Sequence, residues 1–428
     1  MTAVEGWKTN RLDEIGSIFS GSTPSTSIHS FWDGDIVWVT PNDLSKLNTP
    51  YLHDSAKRIT EKGIRGCSSH LLPAGSLVMS SRAPIGYVAI PTVEFCTNQG
   101  CKSIKLKDAF HSEFTYYNVL FNIHKIKSLG EGTTFAEISK TALSTIEISF
   151  PTAVSEQAKI AEILSTVDLA IEQTETLIAK QQRIKTGLMQ DLLTRGIDEN
   201  GNLRTEQTHK FKDSPLGRIP VEWEEGGFND YVISEAGIKP GPFGSSLTKD
   251  IHVQLGYRIY GQEQVIGGNL DVGDYYITEK KYVEMKAFSV RAGDVLISLV
   301  GTIGHVLVIP EQHHPGVINP RLLRFRPNPK LCLSEFLKAL LLSQHLKLQL
   351  ETFATGGTMP VLSAGIIRKL SIVIIGVAEQ KRITEVLTRS ERSVLSHFER
   401  LNKLRSLKSA LMQDLLTGKK RVTALLNS

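Results

Sequence analysis

A six-residue string, Met-Gln-Asp-Leu-Leu-Thr, occupies residues 189–194 and recurs at residues 412–417. One offset of 223 relates the copies. The same offset matches Glu156 and Gln157 to Glu379 and Gln380, Ile160 to Ile383, Glu162 to Glu385, Leu164 to Leu387, Lys180 to Lys403 and Lys185 to Lys408. A register held over about forty residues marks an internal duplication, so the chain must fold as two units of one plan. Each copy follows a region that repeats more loosely. Ala74-Gly75-Ser76-Leu77-Val78-Met79-Ser80 aligns with Ala292-Gly293-Asp294-Val295-Leu296-Ile297-Ser298, and Ile85-Gly86-Tyr87-Val88 with Ile303-Gly304-His305-Val306, at an offset of 218.

The matched stretches read as helix. After Pro151, with Ser155 as N-cap and Glu156 and Glu162 as early negative charge, apolar residues fall at Ile160, Ile163, Leu164, Val167, Ile171, Leu177, Ile178, Ile184, Leu188 and Leu192. Steps of three and four make one narrow apolar stripe. Ile383, Val386, Leu387, Val394, Phe398, Leu401, Leu404, Leu407, Leu411 and Leu415 repeat it. Forty residues of helix run roughly 60 Å. A stripe that long needs a similar partner, and the other copy supplies one as a coiled coil, with Thr174, Gln181 and Lys185 as polar interruptions that weaken the seam but could fix register.

The looser regions read as mixed α and β. Short β-branched runs alternate with turn residues: Ile36-Val37-Trp38-Val39-Thr40 before Pro41-Asn42-Asp43, then 76–79, then 86–90 before Pro91. A helical stretch at 112–129 leads to a glycine turn at 130–134. The most apolar run, 295–309, is broken by Gly301, Gly304 and His305 and predicts a buried hairpin rather than a membrane span. Residues 195–222 read as a polar linker, and Gly418-Lys419-Lys420-Arg421 begins a basic tail with the character of a frayed end. The expected division is 1–153, 154–195, 196–222, 223–376, 377–417 and 418–428. The expected fold class is α+β: two tandem mixed α/β domains, each followed by a long helix, the helices pairing as an antiparallel coiled coil with pseudo-two-fold symmetry.

Composition excludes little but sets the class. With 41% hydrophobic and 22% charged residues the chain is ordinary globular protein, and a formal charge of +5 permits nucleic-acid binding without arguing for it. Cys67, Cys96, Cys101 and Cys332 lack metal-ligand spacing, which points to reduced thiols in the cytoplasm. The first residues carry neither a basic nor an apolar signal region, so no secretory leader is expected. No Asn-Pro-Pro-aromatic or Asp-Pro-Pro-aromatic string, no phosphate loop ending in Gly-Lys-Ser or Gly-Lys-Thr, and no His-Glu-x-x-His occurs.

Several strings together resemble one family. Gly132-Thr133-Thr134-Phe135-Ala136-Glu137-Ile138-Ser139, then Ile146-Glu147-Ile148, Pro151, Glu156-Gln157 and Ile160, resemble the junction of target-recognition domain and helix in type I restriction-modification specificity subunits. Trp38-Val39-Thr40-Pro41-Asn42-Asp43-Leu44, Thr97-Asn98-Gln99-Gly100-Cys101-Lys102, Gly241-Pro242-Phe243-Gly244-Ser245-Ser246-Leu247 and Pro215-Leu216-Gly217-Arg218-Ile219-Pro220 before Trp223 are similar to further family phrases. The second half departs where Thr97-Asn98-Gln99 becomes Ile318-Asn319-Pro320-Arg321 and Gly132-Thr133-Thr134 becomes Gly356-Gly357-Thr358. The resemblance implies a non-catalytic subunit that binds double-stranded DNA with two methyltransferase subunits, and with restriction/translocase subunits. It implies no cofactor here, with S-adenosylmethionine, ATP and Mg used in the partners. Two heads on helical spacers would read a bipartite site.

Base edges need donors and acceptors on loops between strands. In the first half the candidates are Ser22, Thr23, Ser81, Arg82, Asn98, Gln99 and Lys102. In the second they are Ser245, Ser246, Arg258, Tyr260, Gln262, Asn319 and Arg321. Plain structural roles stand beside these: Asn98 and Asn319 as turn caps, Arg82 as a solvated charge, Gly241, Gly244, Gly356 and Gly357 as backbone turns, and Trp7, Trp38 and Trp223 as packing. Lys419, Lys420 and Arg421 could neutralise phosphate. For docking of methyltransferase subunits, the resemblance points to Glu162, Glu172, Glu175, Lys180, Arg183 and Lys185 on the helices, otherwise simply solvated positions. A coiled-coil adaptor with protein- or glycan-binding heads, and a stand-alone DNA-binding regulator, remain the competing functions.

Overall fold

The three-and-four spacing produces two long helices, Val154–Thr194 and Val377–Leu415. The computed structural model describes residues 4–82, 84–130, 137–300, 303–352 and 363–426, without the side chains of Glu235, Gly244, Ser245 and Lys249. The strings Gly132-Thr133-Thr134-Phe135-Ala136 and Gly356-Gly357-Thr358 lie outside the described residues. The chain divides into two compact units, Met1–Thr176 with Phe398–Ser428, and Leu177–His397. Each unit therefore holds one head, the start of the helix that follows it and the end of the other helix.

Within each unit the two helical segments run antiparallel. In the first, Asp168 pairs with Lys408 and Glu175 with Arg405 at 2.7 Å, so partners advance on one helix as they retreat on the other. In the second, Lys185 meets Glu391 at 3.0 Å while Leu188, Met189, Leu192 and Leu193 pack with Ile383, Val386 and Leu387. The repeated string is the end that docks. Leu192 and Leu193 lie in the second unit's core with Trp223, whereas Leu415 and Leu416 lie in the first unit's core with Trp7. Each fully buried leucine contributes about 1.5–3 kcal/mol.

The heads share a sheet plan. In the first unit, Leu77–Ser80 lies between Cys101–Leu106 and Val88–Pro91, with Gly16–Ser20 on the far side of Cys101–Leu106. In the second, Val295–Ser298 lies between Leu322–Phe325 and Val306–Val308, with Ile238–Pro240 beyond. A smaller sheet accompanies each. Trp32–Val39 pairs parallel with Phe95–Thr97 and antiparallel with Arg58–Ile59; Tyr257–Tyr260 pairs parallel with Gly316–Ile318 and antiparallel with Tyr276–Ile277. The apolar run at 295–309 supplies the antiparallel pair Val295–Ser298 and Val306–Val308.

Four expectations are corrected. The first helix starts at Val154, with Ser155 inside it, because Pro151 is held extended by the pairing of Glu147–Pro151 with Trp7–Arg11. The helical stretch at 112–129 is two helices, Ser112–Phe121 and Ile123–Ser128, broken where the Asn122 amide turns back on the Asn118 carbonyl at 2.9 Å. Residues 195–222 are no loose linker: Phe211–Ser214 and Gly217–Pro220 form a hairpin, and Ile197, Leu216 and Ile219 are buried in the second unit's core. The basic tail is tied down, with Val422 buried and Lys420 3.1 Å from Asp414.

The reason for both last corrections is the Glu-Gln pair that opens each long helix. Gln157 Nε2 donates to the carbonyls of Ala109 and Pro151 at 3.0 and 2.9 Å, and its Oε1 accepts from His111 N at 2.8 Å. Gln380 repeats this on Leu331 O, Ile375 O and Leu333 N. Glu156 accepts from Arg421 Nε and Nη2 at 2.6 and 2.7 Å, which holds that guanidinium in its charged form. Glu379 accepts from Arg204, from Trp223 Nε1 at 3.2 Å and from Ile197 N at 3.0 Å. The chain reaches both arginines through a left-handed glycine, Gly418 (φ +71°) on Trp7 and Gly196 (φ +68°) on Trp223, where a Cβ would lie 3.0 and 2.4 Å from the indole.

Removing one partner of a buried ion pair leaves an uncompensated charge and costs about 3–5 kcal/mol. Arg204→Met is expected to lower the urea midpoint of the full chain accordingly, and Arg204→Met with Glu379→Gln to recover part of the loss. A single variant as stable as the parent would show that the pair does not hold the unit together.

Candidate nucleic-acid interface

Parallel strands end at the same edge, so the loops that follow them emerge together. In the first unit these are Thr40 with the start of the helix Pro41–Ser45, after Trp32–Val39, and loop 98–100, after Phe95–Thr97. A third, after Gly16–Ser20, is laid across them by backbone bonds: Gly21 N to Cys101 O at 3.3 Å and Ser22 N to Thr97 O at 2.9 Å. A Cβ on Gly21 would lie 1.9 Å from the Asn98 carbonyl, so only glycine allows this crossing. Trp38 Nε1 holds the Ser22 carbonyl at 3.1 Å, and Thr23 Oγ1 donates to Gln99 Oε1. Asn98 Oδ1 accepts from Gly100 N at 3.0 Å, the turn-capping role. Thr40 and Asp43 cap the helix Pro41–Ser45 and leave Asn42 exposed at the tip, a residue that sequence reasoning passed over although its Thr-Pro-Asn-Asp setting is a helix-start signal.

Ser81 and Lys102 are set back from this surface. Lys102 is 4% exposed, with Nζ 3.3 Å from both Ser81 Oγ and Glu137 Oε1; Arg82 Nε bonds Glu137 Oε2 at 2.7 Å. Burial disfavours the Glu137 carboxylate, but the Arg82 bond and the Lys102 charge outweigh it and hold the acid below the usual carboxylate range. Arg82 is half exposed, so part of its guanidinium still faces solvent.

The second unit builds the same frame. Gly261 with the start of the helix Gln262–Gly267, and loop 319–321, follow the parallel strands Tyr257–Tyr260 and Gly316–Ile318, and the loop after Ile238–Pro240 crosses them. Gly241 N donates to Leu322 O at 2.9 Å, and a Cβ there would lie 1.8 Å from the Asn319 carbonyl, as at Gly21. Asn319 Oδ1 accepts from Arg321 N at 2.9 Å, as Asn98 does from Gly100. Gln262 Nε2 donates to the Val300 carbonyl, Ser246 Oγ to the Phe243 carbonyl at 3.1 Å, and Arg321 is exposed. Ser245 falls in the turn Gly244–Leu247, and its side chain is outside the described residues.

Arg258 and Tyr260 belong to the scaffold instead. Arg258, 2% exposed, donates through Nη2 to Val272 O and Gly273 O at 2.9 and 2.5 Å and through Nη1 to Tyr276 Oη at 3.2 Å, pinning loop 269–276 to its strand. Tyr260 donates to His314 O at 2.6 Å, and burial pushes its phenol up to about 12. Both lie on a strand whose alternation sends them inward, a direction that polar identity alone does not disclose.

On the helices, Glu172, Lys180 and Arg183 face outward, and the Glu162 carboxylate pairs with Lys159 one turn away, at 3.1 Å. Glu175 and Lys185 are engaged by Arg405 and Glu391 and so belong to the helix pairing. The groups offered by the loops are hydrogen-bond donors, acceptors and a few cations. Burial pushes the Cys96, Cys101 and Cys332 thiols up to about 12, too high to act as thiolates. Among the described residues no cluster of His, Cys, Asp and Glu could hold a metal ion, and no helix is long and apolar enough to cross a membrane.

Residues 4–181 and 248–406 match the family model described as type I restriction modification DNA specificity domain. A type I restriction enzyme specificity subunit of Methanocaldococcus jannaschii, MjaIX, is 35% identical over 235 residues, 54% of this chain; the chain spans about half (52%) of that relative's length. The MjaVIII specificity subunit of the same organism is 21% identical over 98% of this chain and 94% of its own. In fold, the chain is similar to the crystal structure of a type I restriction-modification system S subunit from M. genitalium, with TM-score 0.56, 16% identity and 97% of each chain covered. A chain solved in work on complex assembly and conformational transition of the type I R-M system gives TM-score 0.60 at 16% identity, over 96% of this chain and 98% of its own.

Because the Glu137 pKa is depressed in the folded state, its stabilising effect is full above the ordinary carboxylate pKa of about 4.3 and is lost as pH falls through the depressed value. Arg82→Ala is expected to move the Glu137 titration, followed by carboxyl NMR, upward toward that ordinary value. An unmoved titration would show that Arg82 does not set the charge of this cluster.

Proposed function

We propose that this chain, which belongs to the type I restriction-modification DNA specificity family, is the subunit that selects the DNA sequence on which partner subunits act. One observation carries the reading: both units build the same three-loop frame, on Gly21 and Asn98 and on Gly241 and Asn319, yet display different side chains from it. Ser22, Thr23, Asn42 and Gln99 stand on the first frame; Phe243, Ser246, Gln262 and Arg321 stand on the second. Equal frames with unequal displays suit two unlike halves of a bipartite double-stranded DNA site. Bonds to base edges select the sequence, while Arg82 and Arg321 supply positive charge for phosphate or guanine.

The helices have two roles in this reading. Their length sets the number of unread base pairs between the half-sites, and the outward Glu162, Glu172, Lys180 and Arg183 dock two methyltransferase subunits. Adenine methylation, and ATP-dependent cleavage by restriction/translocase subunits, belong to those partners, together with S-adenosylmethionine, ATP and Mg. The complex acts in the cytoplasm, on cellular DNA.

Two outcomes are expected when the chain is expressed with the methyltransferase encoded beside it and methylated adenines are mapped by long-read sequencing. Inserting four residues, about one turn, into one long helix lengthens the gap of the recognised site; an unchanged gap would sink the ruler. Arg321→Ala relaxes base preference in one half-site only, at about 1–3 kcal/mol of discrimination. Loss spread evenly over both halves would remove Arg321 from base reading.

A further inference from the structure

We propose that Phe243 is a wedge: its ring enters the DNA held by the second unit and unstacks one base-pair step of that half-site. The proposal rests on the three-loop frame being the DNA-reading surface. Phe243 is 83% exposed, whereas Phe228, Phe325 and Phe336 of the same unit are fully buried. A phenyl ring left in water gains nothing for folding, and on a loop that faces DNA it is free to meet the apolar faces of the bases.

The loop that carries it is held by backbone. Gly241 N bonds Leu322 O, the Gly241 Cα sits against the Asn319 carbonyl, and Ser246 Oγ takes the carbonyl of Phe243 itself. The backbone at the base of the ring is therefore held in place. The first unit shows what the same position does otherwise. Two residues beyond the crossing glycine it has Thr23, half-buried and bonded to Gln99; in the second unit that position is Phe243, and the residue after the asparagine is Pro320, which has no side-chain acceptor to draw the tip down.

On loop 319–321, which the Phe243 loop crosses at Gly241, the exposed Arg321 and the amide of Asn319 offer donors to anionic and carbonyl oxygens. A ligand with flat apolar faces rimmed by such oxygens is a stack of base pairs. Apolar side chains that enter a base step unstack it and kink the duplex.

The test uses the assembled complex and a duplex bearing its mapped site, with 2-aminopurine placed in turn at each step of the half-site read by the second unit. The wild-type complex should raise fluorescence at one step. Phe243→Thr, which copies the first unit and leaves the Ser246 bond to the backbone intact, should abolish that rise and weaken specific binding about tenfold, while Phe243→Trp keeps both. A wild-type complex that binds and methylates its site with no fluorescent step, or a Phe243→Thr complex that keeps the rise and the affinity, overturns the wedge while the DNA-reading function stands. Failure of Phe243→Thr to assemble with the methyltransferase assigns the ring to a protein contact and also overturns it. A wild-type complex with no sequence preference overturns the reading of the frame, and the wedge falls with it.

Discussion

A buried carboxylate and a buried amide at the start of each long helix govern the rest of the molecule. Glutamine side chains have two donors and an acceptor, and Gln157 and Gln380 each use them on three backbone groups that would otherwise be orphaned under the head. The neighbouring glutamates are bonded by arginines that lie beyond the end of the opposite helix, Arg421 and Arg204. Helix start, head and opposite helix end are thereby one cooperative network in each unit. Mispairing the ends would bury an unpaired glutamate, a cost of several kcal/mol that disfavours alternative registers.

This arrangement explains why the repeated leucines sit where they do. Leu192 and Leu193 follow the first head in sequence but complete the core around Trp223, while Leu415 and Leu416 complete the core around Trp7. The stripe between is thin, and polar side chains share it: Thr174 satisfies its hydroxyl on the Ala170 carbonyl, and Lys185 reaches Glu391. Burial and two Lys contacts act on Glu391 in opposite senses, and the lysines prevail to keep it ionised below the ordinary range.

The duplication made the helices, their partner and the tandem heads legible in advance, because period and repeat are properties of residue order. The hairpin at 295–309 was legible for the same reason. Most of what escaped was decided by a distant residue, although the break at Asn122 is local. The fate of 195–222 and of the C-terminal basic residues depends on Glu379 and Glu156, about 160–265 positions away. Lys102, Arg258 and Tyr260 read as reaching outward on polarity alone, yet strand alternation turned them toward Glu137, Val272 and His314. Phe243 read as part of a family phrase, and nothing short of its exposure distinguishes it from a core ring.

The three loops of each unit are held by main-chain bonds, by two glycines that permit a close crossing, and by side-chain bonds such as Trp38 Nε1 to Ser22 O and Ser246 Oγ to Phe243 O. Gly21 to Cys101, Ser22 to Thr97, Gly241 to Leu322 and Asn319 to Tyr260 are all amide-to-carbonyl contacts. Exposed side chains that take no part in these bonds can therefore be exchanged with the loops held as they are. On the proposed reading, exposed tips such as Asn42, Phe243 and Arg321 are where the target sequence can change while these main-chain bonds stay in place.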